Sequence, residues 1–274
     1  MKPGITGLVL TYNGERLLRQ CLQSLAFCDQ ILVVDSYSKD STETLVHEAG
    51  GEPRVRFLER VWEGPGPQFA HALDQIETEW VFSLDQDEMC TPALRHSIEK
   101  VMTSGQAADG YWIARRSWYY DRFMRHSGWY PDRLLRLFRN GRMDVHVSGA
   151  HYSFHPKGAT SGLDGDILHY PYASFSQHLE KINDYAQKGA DDMAARGKAG
   201  GLARGVGHGI GRFVKIYLLK RGFLDGRAGF INAVHGAFYA FLKYVRVGEG
   251  DWGAPFDHLD HEYCCHDKED TWRT

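Results

Sequence analysis

Four short apolar runs near the start of the chain each stop at a cluster of polar residues, and helix-length stretches separate them. The runs are ITGLVLTYN (5–13), QILVVDSYS (30–38), VRFLERVW and EWVFSLDQDE. Between them, ERLLRQCLQSLAF (15–27) places Leu17, Leu18, Cys21, Leu22 and Leu25 on one helical face. TETLVHEAG reads as a helix closed by glycine, and PQFAHALDQIE (67–77) as a third helix. Strands alternating with helices predict an α/β fold with a mostly parallel sheet. Such sheets gather functional groups beyond the carboxyl ends of their strands. Thr11-Tyr12-Asn13, Asp35-Ser36 and Asp85-Gln86-Asp87 are therefore expected to face one crevice.

The third cluster poses a physical question. Asp85 and Asp87 bracket a single residue at the end of VFSL, and like charges that close repel unless a cation or hydrogen-bond donors offset them. An isolated Asp-x-Asp is most simply a solvated turn. Matching clusters at two other strand ends favour a site instead. Hard carboxylate oxygens at this spacing suit Mg²⁺ or Mn²⁺, which take few protein ligands and leave positions for phosphate oxygens.

Composition narrows the class further. At 43% hydrophobic residues the chain can bury a sizeable core. A net charge of −3 argues against nucleic acid held by bulk charge. The five cysteines show no paired spacing, which fits a reduced, cytoplasmic setting. The first fifteen residues read as a strand rather than a signal peptide, and no run reaches the ~18 apolar residues of a spanning helix.

Taken together, ITGLVLTYNGE, ILVVDSYSKDST, the W-x-G-x-G-x-Q pattern of WEGPGPQ, and EWVFSLDQDE resemble family 2 glycosyltransferases with the GT-A fold. GWYPDRLLRLFRNG, GDILHYPY and KIYLLKRGFLDGRAGF are similar to the branch containing bacterial lipopolysaccharide-core β-glucosyltransferases. The resemblance implies inverting, metal-assisted transfer from a nucleotide-diphosphate sugar, with UDP as the default, to a cell-surface glycan or lipid-linked acceptor. It implies that Thr11, Tyr12, Asn13, Glu15, Asp35, Ser36, Gln68 and Asp85 line the nucleotide-sugar site. It also implies a divalent ion held by Asp87, with Asp85 and His169 beside it. Arg133 and Arg136 either contact phosphate or form surface salt bridges.

One expected element is missing. Relatives in this branch usually carry Val-His-Glu after the RLF segment, and that glutamate is the natural base. Here VHVSGAHYSFHP places Tyr152 at the position counting back from GLDGDILHY, or Val147 when aligned on Val145-His146. Either way the carboxylate is missing, and a tyrosine with a pKa near 10 is a poor base at neutral pH. Asp132 is the replacement candidate, with Asp144 behind it. The alternatives are a catalytically silent nucleotide-sugar-binding protein and, further off, a nucleotidyltransferase. The latter would need a glycine-rich phosphate loop that TYNGERLL does not supply.

The expected organisation is a catalytic domain over 1–172 and a helical region over 173–274. GVGHGIG (205–211) reads as a flexible hinge before a helix. The aromatic-rich helices at 212–246, flanked by Lys and Arg, suit either packing on the catalytic domain or a second subunit, or peripheral contact with the cytoplasmic face of the inner membrane. His258, His261, Cys264, Cys265 and His266 crowd the tail, but adjacent cysteines do not match zinc-site spacing.

Overall fold

The computed structural model describes residues 2–50, 54–104, 108–148 and 151–249. The tail cluster of histidines and cysteines lies outside the described residues. The chain forms two compact units. The first comprises the described residues up to Ser174 together with Gly222–Gly229, and the second comprises Phe175–Arg221 with the described residues from Phe230 onward.

The first unit begins as the alternation predicts: β1 (Lys2–Thr11), α1 (Leu18–Ser24), β2 (Gln30–Asp35), α2 (Thr42–Glu48), β3 (Val55–Glu59), α3 (Pro65–Asp74) and β4 (Thr78–Asp85). It continues with β5 (Glu88–Cys90), α4 (Pro92–Ser104), β6 (Gly110–Tyr119), β7 (Arg122–Phe123), β8 (Asp132–Arg139), β9 (Met143–Ser148), β10 (His151–Pro156) and β11 (Thr160–His169). The main sheet runs β3-β2-β1-β4-β8-β6-β11-β5, with β7 paired to β6, while β9 and β10 form a separate hairpin. β3, β2, β1 and β4 are mutually parallel. Strand order reverses at β1, where β4 crosses to its other side. In doubly wound sheets that reversal opens a crevice at the strands' carboxyl ends.

Burial explains why these runs are strands. Leu8 and Val9 of β1 and Val81 and Phe82 of β4 are fully buried on opposite faces, as expected for parallel strands covered on both sides. One core layer gathers Val9, Leu22, Phe82, Leu94 and Ile113, and the other gathers Leu8, Phe69, Val81 and Phe138. In the second layer the Phe69 ring lies 4.5 Å from Tyr152 and 5.0 Å from Phe154. That contact presses the β9–β10 hairpin against α3 and brings Tyr152 to the crevice. Burial pushes the Cys90 thiol up to about 12 and raises Cys21 and Cys28 as well, so these free thiols are unreactive.

The second unit is helical: α5 (Phe175–Ala195), α6 (Leu202–Val214) leading into a π turn (Lys215–Leu219), and α7 (Gly226–Glu249), whose first turn belongs to the first unit. The glycine run expected to hinge is instead the body of α6. A Cβ at Gly205 would meet Val245 Cγ2 at 2.9 Å and the Phe241 carbonyl at 3.1 Å. Gly209 likewise sits close to the Ala237 carbonyl. Glycine at i and i+4 lets two helix backbones approach, a gain in packing that offsets the intrinsic cost of ~1 kcal/mol per glycine in a helix.

His178 of α5 is buried against His235 of α7, with the two Nδ1 atoms 3.0 Å apart. Burial, reinforced by His235, pushes His178 down to about 4. Its unfolded value is about 6.5, so the unfolded chain takes up the proton first as pH falls. The stability associated with neutral His178 is present above pH ~6.5 and is lost progressively towards pH ~4, amounting to roughly 2–3 kcal/mol. Urea unfolding at pH 7.5, 6 and 4.5 should show a steeper loss for the wild type than for His178→Leu. Parallel pH profiles would rule this group out as the cause.

Candidate active site

The carboxyl ends of β1, β2 and β4 open onto a cavity of about 660 Å³ whose walls include Thr11, Tyr12, Ser36, Trp62, Phe69 and Asp85. Gln86 ties two of these strand ends together. Its Oε1 accepts from Thr11 Oγ1 at 2.6 Å and from the Tyr12 N–H at 2.9 Å, and its Nε2 donates to the Tyr12 carbonyl at 3.2 Å. Tyr12 and Trp62 remain 55% and 54% exposed while walling the cavity. Aromatic faces left open on a concave surface are suited to stacking on a flat ring. Gln68 is fully buried behind Ser36, and its Oε1 has no hydrogen-bond partner among the described residues.

Asn13, Glu15 and Asp35 hold the loops that shape this crevice. Asn13 adopts φ 49°, accepts the Lys39 N–H on Oδ1 and donates its own N–H to Ser38 Oγ. Glu15 accepts the Ser41 N–H, and its own N–H goes to Asp40. Asp35 is buried, and its two oxygens accept the Ser38 N–H at 2.6 Å and the Ser38 hydroxyl at 2.5 Å. Asn13 and Glu15 stitch the β1–α1 loop to the β2–α2 loop and Asp35 closes the β2–α2 loop on itself, whereas Thr11, Tyr12, Ser36 and Asp85 line the cavity itself.

Beneath the cavity lies a cluster of opposite charges. Arg136 is 3% exposed. It donates to Asp85 Oδ2 at 2.7 Å and to Glu88 Oε1 at 3.2 Å, and it also bonds the Tyr152 hydroxyl. Tyr152 in turn donates to Asp85 Oδ1 at 2.8 Å. Arg115 bridges Glu88, at 2.9 Å, and Asp132 Oδ2, at 2.7 Å. Burial alone would push the Asp85 carboxyl up, but Arg136 and the Tyr152 hydroxyl outweigh it and hold Asp85 below the usual carboxylate range. For Glu88 burial prevails over Arg136, and Asp85 adds to it, so its carboxyl is raised. Burial also pushes the Tyr152 phenol up. The bridging expected of Arg136 is real, but it is buried rather than at the surface. Arg133 is exposed, and Asp144 pairs with Lys157 at 3.2 Å.

Asp87 follows in the turn between β4 and β5. Antiparallel register places His169 of β11 opposite Glu88, and the Tyr170 N–H donates to the Asp87 carbonyl at 3.0 Å. His169 Nε2 thereby comes within 3.9 Å of Asp87 Oδ2, while its Nδ1 bonds Ser117 Oγ at 2.9 Å. With the proton on Nδ1, donated to the serine, Nε2 offers its lone pair on the Asp87 side. One carboxylate and one imidazole fit a divalent ion that keeps its other positions for phosphate oxygens and water. Asp85 fits that role less well, because both its oxygens are engaged by Arg136 and Tyr152. Among the described residues, no three His, Cys, Asp or Glu side chains converge as a closed metal cage.

The sheet, the strand-end cavity and the Asp-x-Asp turn meet in a single stretch of chain, and a family model described as glycosyl transferase family 2 matches residues 8–159. The chain belongs to that family. This glycosyltransferase is 29% identical to the lipopolysaccharide core biosynthesis glycosyltransferase LpsC of Rhizobium meliloti (strain 1021), over 89% of this chain and 91% of LpsC. It is 24% identical to an uncharacterized glycosyltransferase, RT0209, of Rickettsia typhi, over 89% of this chain and 87% of that protein. Among solved structures, S. aureus TarS 1-349 in complex with UDP-GlcNAc matches with a TM-score of 0.49 at 15% identity, over 96% of this chain and 76% of that one. A second S. aureus TarS structure matches at 19% identity with a TM-score of 0.45, over 69% of this chain but only 40% of its own.

By its family and its own sheet topology the transferase is an α/β protein of GT-A type, with helices flanking the sheet and a helical C-terminal portion. No helix among the described residues is long and apolar enough to cross a membrane. Several site residues of the transferase escape a linear reading. Gln86 and Glu88 sit inside the quoted EWVFSLDQDE motif without a role of their own, Trp62 opens the WEGPGPQ pattern, and Arg115 has no local signal at all. Glu88 resembles any acid after a turn until β8 and β6 bring two arginines to it.

Proposed function

We propose that this glycosyltransferase moves a sugar from a nucleotide-diphosphate donor, with inversion, onto a cell-surface glycan or lipid-linked intermediate of the lipopolysaccharide-core kind. The observation that carries the reading is the strand-end cavity whose Asp85-Gln86 wall leads directly into Asp87, with His169 beside it. In this reading Tyr12 and Trp62 take the base, Thr11 and Ser36 line the nucleotide site, and the open Oε1 of Gln68 serves as an acceptor behind it. LpsC, named for lipopolysaccharide core biosynthesis, supports the acceptor class.

Asp87 and His169 would hold a Mg²⁺ or Mn²⁺ ion, which when bound supplies Lewis-acid neutralisation of the departing diphosphate. Asp132, 40% exposed and oriented by Arg115 through one oxygen, is the proposed base. It takes the proton from the acceptor hydroxyl as that oxygen bonds to the anomeric carbon and the diphosphate leaves from the opposite face. Tyr152 is a positioning residue, since its hydroxyl donates to Asp85 and its raised phenol is unsuited to accept a proton. Exposed apolar residues at i, i+4 spacing on α6 (Val206, Ile210, Val214) and α7 (Phe230, Val234, Phe238) support peripheral contact of the helical unit with a membrane carrying the acceptor.

Calorimetric titration of UDP, GDP, CDP and ADP and their sugars, with and without Mn²⁺, tests the donor reading. One nucleotide class should bind in a metal-dependent way. Trp62→Ala should weaken it by roughly tenfold, in keeping with base–aromatic stacking worth about 1–3 kcal/mol. Absence of binding by every nucleotide would sink both the transferase reading and the silent-binder alternative. Binding without transfer to any core acceptor would favour the silent binder.

A further inference from the structure

The second unit contains a cavity of about 270 Å³ between α6 and α7. Arg212, Lys215 and Lys243 line it with His208, Tyr239 and Tyr244, and no aspartate or glutamate is among its walls. The imbalance extends along the chain: residues 196–221 and 230–248 hold nine lysines and arginines and no acidic residue, in a protein whose net charge is −3. Clustered like charges cost free energy unless an anion offsets them. Burial pushes the Lys243 ammonium down, and the neighbouring charges of Arg212 and Lys198 add to it.

The cavity is also built rather than incidental. The His208 and Tyr244 rings stack at 3.8 Å and 6°, forming a flat wall. The Lys243 ammonium lies 5.5 Å over the Tyr239 ring and 5.3 Å over the Tyr244 ring, which fixes its position. Gly207 and Gly211 leave the opposite side clear, since a Cβ at either would meet no atom within 4 Å. α6 gives way to its π turn at Lys215, whose carbonyl accepts the Lys220 N–H at 2.8 Å. Single π turns of this kind recur at functional sites, where they redirect side chains.

We propose that this cavity is a phosphate-binding site. A guanidinium that can pair with two oxygens at once, together with two ammonium groups, matches a dianionic phosphate better than a single carboxylate. The phosphate can be carried by a soluble phosphorylated glycan or by a lipid headgroup, and both present the same oxygens. All the residues involved belong to the second unit, so the site takes its ligand through groups other than those assigned to the donor.

Calorimetry on the full chain in EDTA, titrating inorganic phosphate and pyrophosphate at constant ionic strength, tests this directly. One saturable site per chain is expected, weakened at least tenfold in Arg212→Gln and in Lys243→Gln and unchanged in Lys157→Gln, a cation of the first unit. Helix content and melting temperature check that each variant is folded. Flotation with phosphatidic acid/phosphatidylcholine vesicles, against phosphatidylcholine alone, separates the sources. Retention on the acidic vesicles that is lost in Arg212→Gln assigns a lipid headgroup. Phosphate titration without vesicle retention assigns a soluble phosphate ester. No saturable binding in either arm, or binding that survives both glutamine variants, would overturn the proposal.

Discussion

Asp87→Ala should abolish the metal dependence of donor binding and lower transfer by roughly 10²–10³-fold, as expected when a carboxylate that holds a catalytic cation is removed. The variant should still fold. The tie from the Tyr170 N–H to residue 87 uses the backbone carbonyl, which the substitution keeps, and the carboxylate itself is 25% exposed, so its removal opens no cavity in the core. The melting temperature should move by no more than a few degrees, since ~1 kcal/mol corresponds to about 2–4 °C in a chain of this size. His169→Ala should act in the same direction but more weakly, by roughly 10–100-fold in metal affinity. Calorimetry of the donor with and without Mn²⁺ decides the matter. Metal-dependent binding that persists in Asp87→Ala would place the ion elsewhere.

Arg136→Met should have its largest effect on stability. The guanidinium is buried and serves Asp85, Glu88 and Tyr152 simultaneously. Methionine fills most of its volume but leaves the fully buried Glu88 carboxylate facing the half-buried Asp85 with only Arg115 nearby. Removing one partner from a buried charge network typically costs about 3–5 kcal/mol, or roughly 10 °C in melting temperature. Part of the loss should return in the double variant Arg136→Met/Glu88→Gln, which removes one acid along with the base, and the cycle measures their coupling. Arg136→Lys should not restore the wild type, because a point charge cannot reproduce the fork that reaches both acids. Differential scanning calorimetry reads all three. A melting temperature within about 2 °C of wild type in Arg136→Met would mean that the cluster is solvated rather than buried.

The helical unit shows where linear reading fails. GVGHGIG has the composition of a hinge, yet two of its glycines, Gly205 and Gly209, sit against the backbone of α7 inside a helix. Glycine lowers local preference for helix and simultaneously permits close backbone approach, and only the presence of a partner helix decides which effect prevails. The polar strand ends were correctly located from the pattern, but their roles divided. Thr11, Tyr12, Ser36 and Asp85 wall the cavity, while Asn13 and Glu15 turn to the neighbouring loop and Asp35 turns back into its own. Residues one or two positions apart on a loop point in different directions, and spacing alone does not distinguish them.

The sequence alone determined the order of strands and helices in the first half, the strand ends that carry polar groups, and the presence of an Asp-x-Asp turn. These follow from apolar runs and turns, which act over a few residues. The tertiary structure decided which charges meet. Antiparallel pairing of β6 with β8 sets Arg115 opposite Asp132, and pairing of β11 with β5 sets His169 beside the Asp87 turn. Arg136 reaches Asp85 across 51 residues of chain. Those contacts depend on strand register between distant segments, which is settled by packing of the whole sheet and leaves no mark in any one stretch of sequence.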